Sequence, residues 1–358
     1  MITVTKTFLP PLAEYQALID DIWSRGQLTN GGPLVEELEE KLKHYLGVKH
    51  LLYVSNGTLA LQLSIKALGL TGDIITTPFS YVATTSSIVW ENCRPVFVDI
   101  DPCTLCLDAT RIEAAITPAT QAVLATHVFG TPCAVEAIEE IAQRHGLHVI
   151  YDAAHAFGVR HRGQSVLRYG DISALSFHAT KLFHTGEGGA VITNDDALAT
   201  KLAYLRNFGH LDANKFVSLG INAKNTELHA ALGLCVLPHV PALIERRRQL
   251  TAYYDRLVAP LALQRPVPAA EDTRNFTYYP VLLPSEAHLL AAMHALSEAA
   301  IYPRRYFYPA LTDLPYVPAG AACPVAHDVA SRVLCLPLHH ELTEADIRQI
   351  VSIISTCI

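Results

Sequence analysis

The sequence predicts an α/β protein. The expected architecture is a large domain around a mostly parallel central sheet, followed by a smaller C-terminal α+β domain. Three observations lead there. Short apolar runs alternate with helical patterns through the first two-thirds of the chain. Such alternation builds βαβ units around a parallel sheet buried on both faces. The pattern changes near Leu237-Pro238. The chain has 358 residues, which at roughly 150 residues per domain suits two of them. The expected division is 1–238 and 239–358.

In chain order, Val35, Leu38, Leu42, Tyr45 and Leu46 recur at helical spacing. His50–Val54 is a short apolar run, read as a strand, that breaks at Ser55-Asn56-Gly57. Leu61, Ile65 and Leu68 then mark one face of a helix. Pro95–Asp99 and Ala122–Thr126 read as strands, and Val135, Ile138 and Ile141 as a helix stripe. His148–Asp152 and Ala190–Thr193 read as strands, and Leu198–Leu205 as a helix. Past residue 238 come a long helix from about Pro241 to Leu257 and proline-punctuated strands over Phe276–Leu283. A helix near His288–Ala299, an aromatic loop over Tyr302–Pro318 and a terminal helix over Glu344–Ile354 complete the chain.

Composition excludes several classes. Apolar residues make up 50% and charged ones 17%, which favours a large core over disorder. Net charge is −7, and Arg246–Arg248 is the one basic block, expected to be solvated charge on an amphipathic helix. Nucleic acid is therefore not an expected partner. No uninterrupted apolar run reaches the ~18 residues needed to span a bilayer. The first residues lack the basic-then-apolar order of a signal peptide, so the expected location is cytoplasmic. Cys103 and Cys106 form a CxxC pair with no second pair at zinc-like spacing. The histidines are scattered, and Asp99, Asp101 and Asp108 lack the glycine and terminal glutamate of a calcium loop. No metal site is expected.

Three positions point to chemistry. The first is Ser55-Asn56-Gly57-Thr58, between a strand and a helix. Glycine permits a sharp turn, and a helix start leaves unpaired amides that can hold a phosphate. A plain N-cap is the competing reading. The second is Asp152, a carboxylate at the carboxyl end of a buried strand, where ligands meet open α/β sheets. It could instead cap the following turn. The third is Lys181, the one lysine between Lys66 and Lys201. It follows an apolar stretch, where lost hydration lowers an amine's pKa and frees it to attack a carbonyl. Its competing reading is a lysine that reaches solvent. The Gly186–Gly189 run that follows has neither GxGxxG nor Walker spacing, which argues against a nicotinamide or ATP enzyme.

Together a phosphate cradle, a strand-end carboxylate and a desolvated amine match the needs of pyridoxal 5′-phosphate. The cradle holds the phosphate, the acid keeps the pyridine nitrogen protonated, and the amine binds the aldehyde. His178 and His184 flank the lysine and could touch substrate. Arg304, Arg305, Tyr306 and Tyr308 form a polar-aromatic loop suited to a sugar and an anionic diphosphate, or to a subunit interface.

The motifs SNGTLAL, PFSYVAT, DAAHAFG, SFHATK followed by GEGG, and GINAKNTELHAALGL resemble those of the DegT/DnrJ/EryC1/StrS family of sugar aminotransferases. The resemblance runs from Gly26–Pro33 to Cys323–Leu338. It implies fold type I and a homodimer with two active sites at the subunit interface. It also implies roles: Lys181 on the cofactor aldehyde, Asp152 on the pyridine nitrogen, and Gly57, Thr58 and Ser176 around the phosphate. Tyr81 stands where the family stacks an aromatic ring on the cofactor. His155 replaces a common glutamine and could face the ring's phenolic oxygen. Asn222 matches an asparagine that reaches the phosphate of the other subunit, and Lys224 stands where many relatives have arginine, which is not equivalent at a bidentate site. DAAHAFG, SFHATKLFHTGEGG and RRYFYPAL imply, within the family, transfer of an amino group from L-glutamate to C4 of a dTDP-linked 4-keto-6-deoxyhexose for surface polysaccharide. The same motifs fit amination at C3 or of a UDP-sugar.

Overall fold

The structure, a computed structural model, describes residues 1–317, 320 and 322–358. The end of the expected aromatic loop, Pro318, lies outside the described residues. Seven strands form the central sheet: β1 (His50–Val54), β2 (Asp73–Thr76), β3 (Arg94–Phe97), β4 (Thr120–Thr126), β5 (His148–Asp152), β6 (Ile172–Ser176) and β7 (Gly189–Thr193). Their order is β1-β7-β6-β5-β4-β2-β3. Pairs from β6 through β3 are parallel, while β7 is antiparallel to both β6 and β1. The reason is local. Every parallel return needs a crossover, usually a helix, and between β6 and β7 there is only the loop Phe177–Gly188. That loop closes on itself through Phe177 N–H to the Gly188 carbonyl, 2.8 Å.

The helices are α1 (Leu12–Arg25), α2 (Pro33–Leu46), α3 (Gly57–Leu68), α4 (Val82–Trp90), α5 (Val135–His145), α6 (Asp196–Arg206) and α7 (Glu227–Val236). Alternation along the strands feeds two faces. Ile74, Leu124, Ile150 and Val191 meet Leu61 and Ile65 of α3 and Leu202 of α6 on one. On the other, Ile75, Val123 and Tyr151 meet Val135 and Ile138 of α5. Further along that face Tyr53, Leu175 and Ile192 meet Leu38 and Leu42 of α2 and Ala231 of α7. Strands β2 and β6 and helices α4 and α7 carry no clear periodic signal, whereas α1, which the sequence reading did not place, shows Tyr15, Leu18, Ile19 and Ile22 at helical spacing. Strand β2 is only DIIT, and its buried Asp73 is tolerated because Arg94 pairs with it.

The C-terminal part has α8 (Val240–Val258), β8 (Tyr279–Leu282), α9 (Glu286–Glu298), α10 (Pro324–Arg332), β9 (Val333–Leu336) and α11 (Glu344–Ser355). The antiparallel pair β8–β9 is covered by α8, α9 and α11 through Leu250, Tyr254, Leu289, Leu296, Ile347 and Ile350. The first residues join this core: Ile2–Thr3 pairs with Ile301–Tyr302, and the Leu338 amide donates to the Val4 carbonyl at 3.0 Å.

One expectation needs correction. Of Arg246–Arg248, Arg248 pairs with exposed Glu245, but Arg247 is buried and donates to the Thr277 carbonyl at 2.9 Å. It shares the inner face of α8 with Leu243, Leu250, Thr251 and Tyr254, three, four and seven positions away, as a helical stripe requires. The helical stretch Glu227–Leu261 is long and apolar enough to cross a membrane by length and composition. The buried positions of α7 and α8 account for that apolarity as core packing.

Candidate active site

Parallel strands bring their carboxyl ends to one edge, and ligands meet α/β sheets there. Strands β1, β4, β5 and β6 end at Val54, Thr126, Asp152 and Ser176 on that edge, and antiparallel β7 begins there. A cleft of about 260 Å³ opens over it. Its lining brings together Gly57, Thr58, Tyr81, Asp152, His155, Ser176, Lys181, Arg304 and Tyr306.

The phosphate-sized end is built from backbone. The Asn56 side chain caps α3 by accepting from Leu59 N–H at 2.9 Å. That leaves the amides of Gly57 and Thr58 without intrahelical partners. Gly57 permits close packing: a Cβ there would lie 2.9 Å from the Ser176 Cβ. The same turn abuts Gly189, whose Cβ would lie 2.5 Å from the Asn56 carbonyl carbon. The N-cap and the cradle are therefore one structure, with the cap on Asn56 and the free amides on the next two residues.

The ring-sized middle is built from buried side chains. Asp152 accepts from Thr84 Oγ1 at 2.7 Å and from the Ala154 amide at 3.1 Å. Burial pushes its carboxyl up, while those two donors and the charge of Lys181 pull it down. Burial lowers Lys181 to about 8, opposed by Asp152 and reinforced by Arg304. An amine so placed is neutral for a useful fraction of the time near neutral pH. His155 is buried against Phe129, Phe307 and Tyr278. Burial and the Lys181 charge hold it far below its usual range, so it is neutral. Among the described residues its Nδ1 is buried with no partner, as expected of a polar atom that completes its bonding with a ligand.

Among the other expected residues, Tyr81 stands at the start of α4, 54% exposed over the cleft. Arg304 and Tyr306 face the cleft with the guanidinium 4.6 Å from the Tyr306 ring. Arg305 and Tyr308 are outside the lining: Arg305 is held by Glu286 and by the Ala330 and Ser331 carbonyls, and it stacks on Tyr308. Asn222 is exposed beside Asn207 and does not reach the cleft of its own chain. Lys224 hydrogen-bonds Asn207. His178 lines the cleft, its Nε2 3.7 Å from Glu187, whereas His184 is buried on the Phe8 carbonyl. The sequence reading missed Ser80, Thr84, Thr126, Glu187 and Phe307. Ser80 and Thr84 both lie within PFSYVAT, and the hydroxyls of that segment were the available signal.

A cradle of free amides, a buried carboxylate and a neutralisable amine on one sheet edge fit pyridoxal phosphate, and the fold is that of the fold type I transferases. The chain belongs to the DegT/DnrJ/EryC1/StrS aminotransferase family, whose model matches residues 12–355. It is 44% identical over 359 aligned residues to the dTDP-4-amino-4,6-dideoxy-D-glucose transaminase of Shigella dysenteriae, covering 99% of this chain and 98% of that one. Identity to the Escherichia coli enzyme of the same name is 39%, with the same coverage. Among solved structures, DesI in the presence of its TDP-sugar product superposes with a TM-score of 0.95 at 34% identity, covering 99% of this chain and 92% of that one. The protein is a pyridoxal-phosphate-dependent sugar aminotransferase.

Proposed function

We propose that this chain transfers an amino group from L-glutamate to C4 of dTDP-4-keto-6-deoxyglucose, giving dTDP-4-amino-4,6-dideoxyglucose for a surface polysaccharide. The full-length similarity to two transaminases named for that product supports the reading most directly. Within it, the enzyme is a cytoplasmic homodimer, divided near residue 238, with Asn222 reaching the other subunit's site. The exposure of Phe216 and Leu219, at 63% and 69%, favours a partner surface near Asn222.

Bound pyridoxal phosphate supplies an aldehyde that carries nitrogen between substrates and a ring that accepts electrons during proton removal. Gly57 and Thr58 amides and the Ser176 hydroxyl hold the phosphate. Asp152 would hold the proton on the ring nitrogen, and Tyr81, exposed over the cleft, would stack on the ring. Lys181 would hold the aldehyde carbon of the bound cofactor. Its Nζ would move the proton, taking it from one carbon bonded to the transferred nitrogen and returning it to the other. Arg304, at the mouth, attracts the diphosphate.

The test is incubation with L-glutamate and a panel of dTDP- and UDP-linked keto-sugars, with products read by mass spectrometry and NMR. Nitrogen at C4 of the dTDP-sugar is the expected product. Nitrogen at C3, or turnover of the UDP-sugar alone, overturns this reading in favour of the corresponding branch of the family.

A further inference from the structure

Under the sheet edge, three buried hydroxyls make a line that ends on Asp152. Thr126 Oγ1 donates to Ser80 Oγ at 3.0 Å. Ser80 Oγ and Thr84 Oγ1 are 2.7 Å apart, and Thr84 Oγ1 donates to Asp152 Oδ2 at 2.7 Å. The proton order follows from the inventory of donors. A hydroxyl has one proton, and Thr84 spends its own on the carboxylate, so Ser80 donates to Thr84. All three hydroxyls therefore point the same way, toward Asp152. None of these residues is more than 5% exposed.

Their local alternatives are given up. Helix α4 begins at Val82 with Tyr81 at its N-cap, so Ser80 stands one residue before the cap and turns its hydroxyl to Thr84 and Thr126 instead of to the helix start. Thr84 and Thr126 come from different elements, α4 and the last position of β4. The line is thus a tertiary arrangement, not a turn motif.

We propose that Thr84, Ser80 and Thr126 are positioning residues that act through Asp152, their aligned hydroxyl dipoles keeping its carboxylate ionised and aimed at the cofactor's ring nitrogen. Aligned hydrogen bonds polarise one another, so the Thr84 donor is stronger than an isolated hydroxyl. This matters because burial opposes the charged form of Asp152. The inference rests on the proposed role of Asp152.

The experiment uses the holoenzyme and four variants, Thr84→Val, Ser80→Ala, Thr126→Val and Asp152→Asn, with Thr84→Ser as the rescue. Two quantities are read: cofactor dissociation and the pH midpoint of its visible band. Removing the Thr84 hydroxyl makes the Asp152 carboxylate more basic, so it draws the bridging proton from the ring nitrogen. The ring then withdraws fewer electrons and the nitrogen shared with Lys181 becomes more basic. Thr84→Val is expected to weaken cofactor retention about 10- to 100-fold, the worth of one hydrogen bond to a charge, and to move the midpoint upward. Ser80→Ala should give a smaller loss, about 2- to 5-fold, and Thr126→Val a smaller one still. Thr84→Ser should restore both readings. Thermal melts of the apoproteins identify any variant that merely misfolds, and the midpoint is read only on the folded population. Wild-type retention and midpoint in Thr84→Val, with both altered in Asp152→Asn, overturn the hydroxyl line and leave the role of Asp152 standing. An unaltered Asp152→Asn overturns that role and this inference with it.

Discussion

The floor and the rim of the cleft are built differently. On the floor, Asp152, His155 and neighbouring His127 are at most 6% exposed, and Asp152 has fixed partners in Thr84 and Ala154. At the rim, Arg304, His178 and Glu187 are exposed, held by a ring contact and a 3.7 Å His178–Glu187 approach. Low dielectric makes each floor interaction strong and each unpaired floor atom costly. Solvent makes each rim charge weak and tolerant of change. The floor therefore suits chemistry shared by many substrates, and the rim suits choice among them.

The largest test of that contrast is Lys181→Ala. Turnover should fall about 10³-fold or more, and the purified protein should lose its visible cofactor band. Activity within tenfold of wild type would remove the amine from the mechanism. Arg304→Ala tests the rim: KM for the sugar nucleotide should rise about tenfold while kcat changes little, because an exposed charge contributes binding shared by ground and transition states. A drop in kcat alone, from steady-state kinetics, would move Arg304 to the floor class.

Gly57→Ala probes the backbone end. The added Cβ meets Ser176 Cβ at 2.9 Å, an overpacking worth about 1–3 kcal/mol. Cofactor titration should show weaker binding, with the apoprotein melt lowered less than the holoenzyme's. Equal binding would mean the turn relaxes freely.

A further test is a pH dependence of stability. His127 is fully buried, stacks on Tyr151 and accepts from the Cys133 amide at 3.0 Å through Nδ1. Burial lowers it to about 3, below the unfolded value near 6.5. Between those values the unfolded chain binds more protons, so stability is lost as pH falls from about 6.5 toward 3, by up to about 1.4 kcal/mol per pH unit. Chemical denaturation of wild type and His127→Asn across that range should show a flatter profile in the variant. Parallel profiles would mean His127 titrates normally.

The amino-acid sequence by itself determined what depends on neighbours along the chain. Short continuous apolar runs located strands such as His148–Asp152, and apolar residues of period 3.6 located helices such as Val135–His145, because a strand buried on both faces is apolar throughout and a helix buries one stripe. The Asn56-Gly57-Thr58 turn and the desolvated Lys181 were legible for the same reason: their flanking residues already dictate turn and burial. Tertiary structure decided what depends on distant segments. It reversed Gly189–Thr193 for want of a crossover helix, buried Arg247 against Thr277, and left Arg305 on Glu286 while Arg304 faced the cleft. It also brought Thr126, Ser80 and Thr84 to Asp152. A hydroxyl carries no periodic signal of its own, and its partner is set by packing that the linear order does not encode locally.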